Sequence, residues 1–564
     1  MAKRFMVTGA LPYANGHLHV GHIAGAYLPA DIFVRYHRAK GDDVVFVCGS
    51  DDNGVPITLT ARKENKTPSD VVAFYNAAQR QAFEGLGIHF DLYGGTHSPE
   101  DVELHTKLSQ HFFTKALENG YLSKRKTKQL YDTQAQMFLP DRYVKGKCYH
   151  CGAPDALGDQ CENCGKTTDP QLLIDPVSVI TGTRPEVRET THWFFELDAF
   201  RKQLHQWLDS KTDWRTVVVN FSKGLLEQPL PARSITRDLE WGVPLPLQDE
   251  EAKGKVLYVW FDAPIGYVSF TARLCQERFG DWKKYEDYWK NPDTQIVHFI
   301  GEDNTVFHAI IWPAMLMAEK SFQLPSYVVA NCYLNFQMPG KDEVEKMSKS
   351  RGTAVWIKDF LTQFDPDPLR YYLTAIAPET QRTAFGLDDF VRRNNEELVA
   401  ALGNFFHRTL TFTQKYFEGK VPAAEDLKDV DREQLALLTQ LPEKIGALIE
   451  KYSFKSALEE LMVAARTANK YFDTKAPWSS RKTDMVDCGI TMNVCIQTIK
   501  TLSILMQPFL PFAAEKAAKM LNLTGPNVFN WDKAAELLPT GHALGAPEIL
   551  FKKIELEKPE AAGA

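Results

Sequence analysis

The sequence has no unbroken apolar run of about 18 residues, so no segment reads as a helix spanning a bilayer. It has no internal repeat, and low complexity is confined to its last residues, which excludes solenoids and repeat arrays. An excess of positive charge is also missing: 65 Lys and Arg against 72 Asp and Glu leave a net charge of −7. A chain that coats nucleic acid nonspecifically needs the opposite balance. A local patch such as Lys124-Arg125-Lys126-Thr127-Lys128 still permits a nucleic-acid contact, and it suits a solvated loop equally well. Cysteines are few for the length, nine in 564 residues, and the count is odd. Four of them cluster at metal-ligand spacing, which points to a reducing compartment, the cytoplasm, rather than a disulfide scaffold. The start, Met1 to Val7, imitates a signal peptide only until Pro12, Asn15 and two histidines interrupt it, so it is read as a first strand.

What is present is ordinary globular composition, 44% apolar and 24% charged, in a chain long enough for three or four domains. Strand (Arg4 to Gly9), helix (His19 to about Gly41), strand (Val44 to Gly49) and helix (near Pro68 to Gly85) follow one another, the pattern of a doubly wound parallel α/β sheet. From Tyr121 to Arg233 the spacing becomes irregular. Strand signals then return with Val256 to Phe261, Ile296 to Ile300 and Tyr327 to Phe336, so an insertion divides one Rossmann-like domain. From about Asp388 apolar residues recur at helical spacing, as in Leu435, Leu438 and Leu441, and a helical bundle is predicted with Asp388 or Asp389 capping its first helix. The division is therefore 1–120 and 234–325 for the sheet domain, 121–233 for the insertion, 326–387 for a connecting region, 388–535 for the bundle and 536–564 for a C-terminal extension whose end, Glu555 to Ala564, is rich in charge, Ala and Gly and reads as linker.

Two signatures lie far apart in this frame. His19-Val20-Gly21-His22 opens the first helix, where two imidazoles at i and i+3 share a face and where backbone N–H groups and the helix dipole favour anions. Lys346-Met347-Ser348-Lys349-Ser350 supplies two lysines and two hydroxyls, a composition suited to a loop closing over a polyphosphate. Either alone is weak, since His pairs and Lys/Ser runs are common on surfaces. Together, each after a strand, they describe an ATP site. The run Cys48 to Gly54 follows the second strand and places Asp51 at the same edge, where ligands of such sheets bind. A turn rich in Asp and Asn is the commoner reason for such a run.

Cys148-x2-Cys151 with Cys161-x2-Cys164 is the strongest metal signal. Four thiolates in two close pairs suit one structural zinc and leave no open position for catalysis.

Ala10-Leu11-Pro12-Tyr13-Ala14-Asn15-Gly16, leading into His19-Val20-Gly21-His22, resembles the class I aminoacyl-tRNA synthetases and in particular the methionyl-tRNA synthetase family, in a match running from Met6 to about Trp531. The resemblance implies ATP-dependent activation of L-methionine and its transfer to tRNA(Met), with Mg²⁺ accompanying ATP. It implies that His19, His22, Lys346 and Lys349 are catalytic, and that Gly16, Gly21, Gly301 and Asp303 join them around ATP. Tyr258 to Tyr267 reads like the family's methionine-pocket segment, which assigns Leu11, Tyr13, Asp51, Trp260, Ala263, Pro264, Tyr267 and His308 to methionine. Asp51 would hold the ammonium group, and Tyr267 and His308 would mark the sulfur, whose thioether suits aromatic surroundings. Glu302 stands where some members carry Lys, and no role is given to it. In the bundle, Asn404, Arg408 and Trp478 match positions that read the anticodon by stacking and hydrogen bonding. A monomer is expected, with a dimer if an RNA-binding module follows the extension. The competing readings are a synthetase for valine, isoleucine or leucine, which generally needs a larger editing insertion, a related nucleotidyltransferase without the helical half, and a nonenzymatic zinc-bearing tRNA-binding protein.

Overall fold

Five parallel strands form the central sheet of a computed structural model that describes residues 2–556 apart from 159–160, 162, 165, 167, 339–343 and 347–353. They are β1 (Arg4–Gly9), β2 (Asp43–Ser50), β3 (Leu92–Gly95), β4 (Thr294–Gly301) and β5 (Tyr327–Asn331), in the spatial order β5-β4-β1-β2-β3. The chain runs outward from β1 to β3 on one side and from β4 to β5 on the other, so the winding reverses between β1 and β4. Ligand crevices of such sheets open at that reversal, beyond the strands' carboxyl ends. The strands are almost wholly apolar because helices cover both faces. On these faces lie α1, a continuous helix built from Val20–His22, a π-helical segment Ile23–Tyr27 and Leu28–Ala39, then α2 (Val55–Glu64), α3 (Pro68–Gly85), α4 (Val102–Glu118) and α5 (Ile265–Phe279).

The insertion between β3 and β4 is a ribbon. Leu122–Asp132 pairs antiparallel with Glu186–Phe195, and the cysteine segment with its short strands projects between them. The basic run Lys124 to Lys128 is therefore a strand: Lys124 pairs with Asp249 and Glu251 at 2.5 and 2.6 Å, and Arg125 pairs with Glu196. Two predicted strands change form. Val256 to Phe261 is a strand only at Val256–Leu257, which pairs outside the main sheet, and Val259–Asp262 is a helical turn. Short apolar runs do not distinguish buried helix from strand by composition. Tyr327 to Phe336 breaks at Cys332-Tyr333 into β5 and a strand, Leu334–Gln337, of a separate three-stranded sheet.

Ahead of the helical half lies α6 (Pro366–Ala375), and the half itself contains α7 (Asn404–Tyr416), α8 (Asp429–Glu450), α9 (Phe454–Lys475) and α10 (Met485–Leu505). Its leading helix begins at Leu387 after Gly386, so Asp388 and Asp389 sit in the first turn instead of capping it, and Asp389 pairs with Arg392 and Arg393. Helix α10 is long and apolar enough to cross a membrane by composition, yet it is buried along its length as the bundle's central helix. The earlier part of the extension returns across the bundle: Leu550 and Phe551 are buried, and Asn394 and Asn395 bond the backbone at Lys552 and Ile554, while residues 557–564, most of the stretch read as linker, lie outside the described residues.

Two arginines, one fully and one partly buried, join the halves. Arg370 on α6 is fully enclosed and donates to Asp31 on α1 at 2.7 Å, to the carbonyls of Pro508 and Phe509 after α10 at 2.8 and 2.9 Å, and to Leu86 at 3.1 Å. Burial pushes the Asp31 carboxyl up, but Arg35 and Arg370 together hold it below the usual carboxylate range. Arg215 likewise donates to the Ala330 and Glu379 carbonyls, to the Asn331 side chain and to the Tyr452 carbonyl between α8 and α9. Arg370→Ala leaves three buried carbonyls without a donor and half unpairs Asp31. A loss of about 3–5 kcal/mol is expected, read as a lowered urea midpoint; a midpoint equal to that of the parent chain would contradict this account of the joint.

Candidate functional site

A cavity of about 480 Å³ opens at the carboxyl ends of β1, β2, β4 and β5. It is lined from β1 and α1 by Leu11, Tyr13, Gly16, His19, Gly21 and His22, and from β2 by Asp51. The segment entering α5 contributes Trp260, Ala263, Pro264 and Tyr267, and β4 with its following helix contributes Gly301, Asp303 and His308. Residues that the sequence analysis drew from four stretches of chain thus share one hollow.

The two histidines at the head of α1 are stacked, with ring centroids 3.7 Å apart. His19 Nδ1 accepts the Gly21 N–H, and His22 Nδ1 accepts the His19 N–H, both at 3.1 Å. The Val20 N–H donates to the Val355 carbonyl and the His22 N–H to the His19 carbonyl, each at 3.0 Å. This corrects one expectation: the first amides of the helix already have acceptors inside the protein, so they do not present a bare anion site. The same bonds select the tautomer. With Nδ1 accepting, each neutral ring carries its hydrogen on Nε2.

The apolar end of the cavity is rigid. Trp260 stacks on Phe307 with centroids 3.8 Å apart. Gly266 permits the approach of Leu11, since a Cβ there would lie 2.9 Å from Leu11 Cδ1. His308 Nδ1 is 3.1 Å from the Asn304 carbonyl, and its Nε2 is 2.9 Å from the Tyr267 hydroxyl. A carbonyl only accepts, so Nδ1 carries the hydrogen and the Tyr267 O–H donates to Nε2. Burial lowers the His308 pKa to about 4, which keeps the ring neutral. The pair therefore satisfies itself, and contact with polarizable rings, rather than a donated hydrogen bond, is what this wall offers a thioether. Gln79 supports the floor by donating to the Tyr13 and Gly16 carbonyls at 2.9 and 3.1 Å. Phe307 and Gln79 were missed by sequence reasoning; adjacency to His308 was the available signal for Phe307, and nothing local marked Gln79.

Asp51 is buried, and its Oδ1 has no hydrogen-bond partner. Burial, with the nearby Asp262 and Asp52 carboxyls, pushes its pKa well above the usual range. Asp262 accepts from Asn53 at 2.7 Å and lies 3.3 Å from His105 Nε2, while Asp52 accepts from Ser50 and the His97 amide and is pushed up to about 7 by burial. A buried carboxyl with an unused oxygen at the cavity wall is fitted to a cation. On β4's side, a Cβ at Gly301 would fall 2.7 Å from Asp303 Oδ1, so glycine there lets the carboxylate fold back to the strand end. Glu302 is bound to Arg382 at 2.9 and 3.0 Å, and Asn304 contributes its carbonyl to His308.

The second signature is described in part. The Lys346 backbone ends a short strand paired with Leu334–Gln337; Lys349 lies outside the described residues. Beyond it the chain comes directly to the first signature, where Trp356 bridges His19 and the Ile357 N–H donates to the Leu18 carbonyl at 3.0 Å.

Away from the cavity, the sulfurs of Cys148, Cys151, Cys161 and Cys164 all lie within 4.8 Å of one another, with those of Cys151 and Cys161 3.7 Å apart. A disulfide needs about 2 Å. Four sulfurs each about 2.3 Å from a central ion require spacings of this size, so the set fits tetrahedral zinc. In the bundle, Arg408 lies over Phe472 at 4.7 Å and donates to Asn469 at 2.8 Å, with Asn404 exposed one turn earlier. Trp478 packs one edge near Phe472, centroids 5.9 Å apart, and remains 48% exposed, which removes the alternative of a core tryptophan.

With this geometry in place, comparison with known proteins places the chain. A family model described as tRNA synthetases class I (M) matches residues 5–410, and the anticodon binding domain of methionyl tRNA ligase matches residues 421–562. The methionine–tRNA ligase of Pyrococcus abyssi is 47% identical over 98% of this chain and 76% of its own length, and that of Bacteroides fragilis is 47% identical over 98% and 79%. The solved methionyl-tRNA synthetase of Mycobacterium tuberculosis in complex with methionyl-adenylate superposes with a TM-score of 0.79 at 25% identity, covering 97% of this chain and 99% of that one. Sheet, cavity, helical half and comparisons agree, and the chain belongs to the methionyl-tRNA synthetase family of class I aminoacyl-tRNA synthetases.

Proposed function

We propose specific roles for the cavity's residues in the methionine–tRNA ligase reaction, in which methionine is activated with ATP and passed to tRNA. The observation that carries the assignment is Asp51, a buried carboxyl with an unused oxygen in the same hollow as the Nε2 donors of His19 and His22 and the Trp260–Phe307 wall. Asp51 takes the ammonium of methionine, while Trp260, Ala263, Pro264, Tyr267, His308, Leu11 and Tyr13 enclose the side chain. One methionine carboxylate oxygen attacks the α-phosphorus of ATP, the bond to the β-phosphate oxygen breaks, and pyrophosphate leaves with that electron pair. His19, His22, Lys346 and Lys349 stabilise the added negative charge on the phosphoryl oxygens, and Gly16, Gly21, Gly301 and Asp303 seat the adenosine and phosphates. A terminal ribose hydroxyl of tRNA then attacks the methionyl carbonyl, losing its proton as AMP departs. Mg²⁺ enters with ATP as part of the substrate. Asn404, Arg408 and Trp478 form the anticodon-reading surface, and the four cysteines hold one structural zinc. Cysteines without disulfides among the described residues suit a cytoplasmic location, and the chain is read as a monomer.

Four measurements test these assignments. His22→Ala should slow methionine-dependent pyrophosphate exchange by about two orders of magnitude, and an unchanged rate would contradict the role. Because the ammonium favours ionised Asp51 and burial favours its protonated form, methionine binding should release protons and tighten as pH rises through the raised Asp51 pKa. Calorimetry in buffers of differing ionisation enthalpy reads this directly; proton uptake, or the same pH dependence in Asp51→Asn, would contradict it. Trp478→Ala should reduce tRNA charging by about 1–3 kcal/mol of base stacking while pyrophosphate exchange and the melting temperature stay unchanged. Elemental analysis should also find one zinc per chain, lowered in Cys161→Ser; two disulfides in its place would overturn the zinc site.

A further inference from the structure

Asp262 follows Trp260 by two residues and precedes Ala263, yet it does not line the cavity. It is fully buried, and so is His105 on α4, whose Nε2 lies 3.3 Å from Asp262 Oδ2. The same oxygen accepts the side-chain N–H of Asn53 at 2.7 Å, and Asn53 stands two residues beyond Asp51. One buried carboxyl thus ties the stretch assigned to the ammonium of methionine to the stretch assigned to its side chain. None of these three residues has a part in the reaction described above.

The bonds around the pair fix how many protons it holds. Ser269 on α5 donates its hydroxyl to the Gly266 carbonyl at 3.1 Å, so the His105 Nδ1–H donates to Ser269 Oγ at 3.0 Å. One further proton must then lie between Nε2 and Asp262, because otherwise a ring lone pair and a carboxylate oxygen face each other bare in a buried site. Asp262 Oδ1 has no partner, which leaves Oδ2 or Nε2 to carry that proton. The Ser109 hydroxyl, 3.4 Å from Nε2, is compatible with both placements. In either one the pair is neutral overall.

The other titratable groups around Asp262 do not supply this balance. Asp51 and Asp52, beyond β2, are acids themselves. Beyond β3, Asp101 is paired with Arg273 at 2.8 Å, and burial lowers the His97 pKa to about 4, which keeps that ring neutral. We propose that His105 is a positioning residue for methionine: it shares one proton with Asp262, so that this carboxyl adds no net charge beside Asp51 and holds the Trp260–Ala263 turn against the segment bearing Asp51. The proposal rests on the reading of Asp51 as the ammonium's partner. Without His105, an ionised Asp262 would compete with Asp51 for the ammonium, and a protonated one would have to leave Asn53 in search of another acceptor.

The experiment measures pyrophosphate exchange in the parent chain, His105→Leu, Asp262→Asn and the double variant, varying methionine and ATP separately. His105→Leu should raise KM for methionine roughly ten-fold, the scale of one buried hydrogen bond, with KM for ATP equal to that of the parent chain. Asp262→Asn keeps the bond to Asn53 and offers an N–H to neutral Nε2, so its loss should be well below that of His105→Leu. In the double variant no charge remains to be balanced, and most of the methionine KM should be recovered. An unchanged methionine KM in His105→Leu overturns the proposal, and so does an equal rise for methionine and ATP. Failure of Asp262→Asn to recover the His105→Leu defect would reduce His105 to packing, and an Asp262→Asn loss as large as that of His105→Leu would show that charge on Asp262 is required; either contradicts the neutral pair. The last comparison stands even if His105→Leu alone does not fold, since Asp262→Asn then has to stay close to the parent chain. An Asp51→Asn chain with the parent's KM for methionine would instead sink the reading of Asp51, so the two failures are told apart.

Discussion

Everything at the cavity depends on the parallel pairing of β1 with β4, which sets Thr8 beside His298 across a sequence separation of 290 residues. The Thr8 hydroxyl and His298 Nδ1 lie 2.6 Å apart in the buried centre of that pair. Because both strands then end at the same edge, the turn that leads from Ala10 to His19 faces the turn that carries Gly301 and Asp303. A slip of one residue would turn every side chain of one strand to the opposite face. The divided domain follows from the same pairing. The long excursion between β3 and β4, with its cysteine knuckle, must leave the sheet and return without disturbing the two neighbours at its centre.

A second set of contacts makes α1 the common element of the whole molecule. Its first turn carries His19 and His22 and receives the chain just beyond the lysine signature through Val20 to Val355 and Trp356 to His19. Further along the same helix, Asp31 is held by Arg370, whose remaining bonds go to the carbonyls that follow α10 of the bundle. Buried charge pairs of this kind are costly to break and indifferent to salt, so they preserve geometry better than they add stability. The helix that bears His19 and His22 and the half that bears Trp478 are thereby referred to one fixed side chain.

The strand–helix alternation, the insertion, the helical half and the cysteine set were legible because each rests on a local pattern: period, spacing or ligand type. Helix α3 matched its predicted span because Thr67 and Asp70 form a capping box and Pro68 opens the helix, all of it local. What escaped was set by distant partners. The run Val256 to Phe261 has strand composition, yet residues 259–262 turn helical, bringing Trp260 against Phe307 and Asp262 to Asn53. The helix-head amides of α1 were read as an anion site, but acceptors from its own histidines and from Val355 had already claimed them. Helix α2 went unseen because Asp51 to Gly54 was read only as a turn, although that turn delivers the chain into Val55–Glu64.

The central claim is that the ammonium-binding Asp51 and the rigid wall of Trp260, Phe307, Tyr267 and His308 form a site for methionine. Pyrophosphate exchange measured with each of the common amino acids tests it most directly. The account predicts exchange with methionine alone at physiological concentrations, because a polarizable unbranched side chain fills the end of the hollow where Tyr267 and His308 are already paired with each other. Exchange supported as well by leucine, isoleucine or valine as by methionine would contradict it.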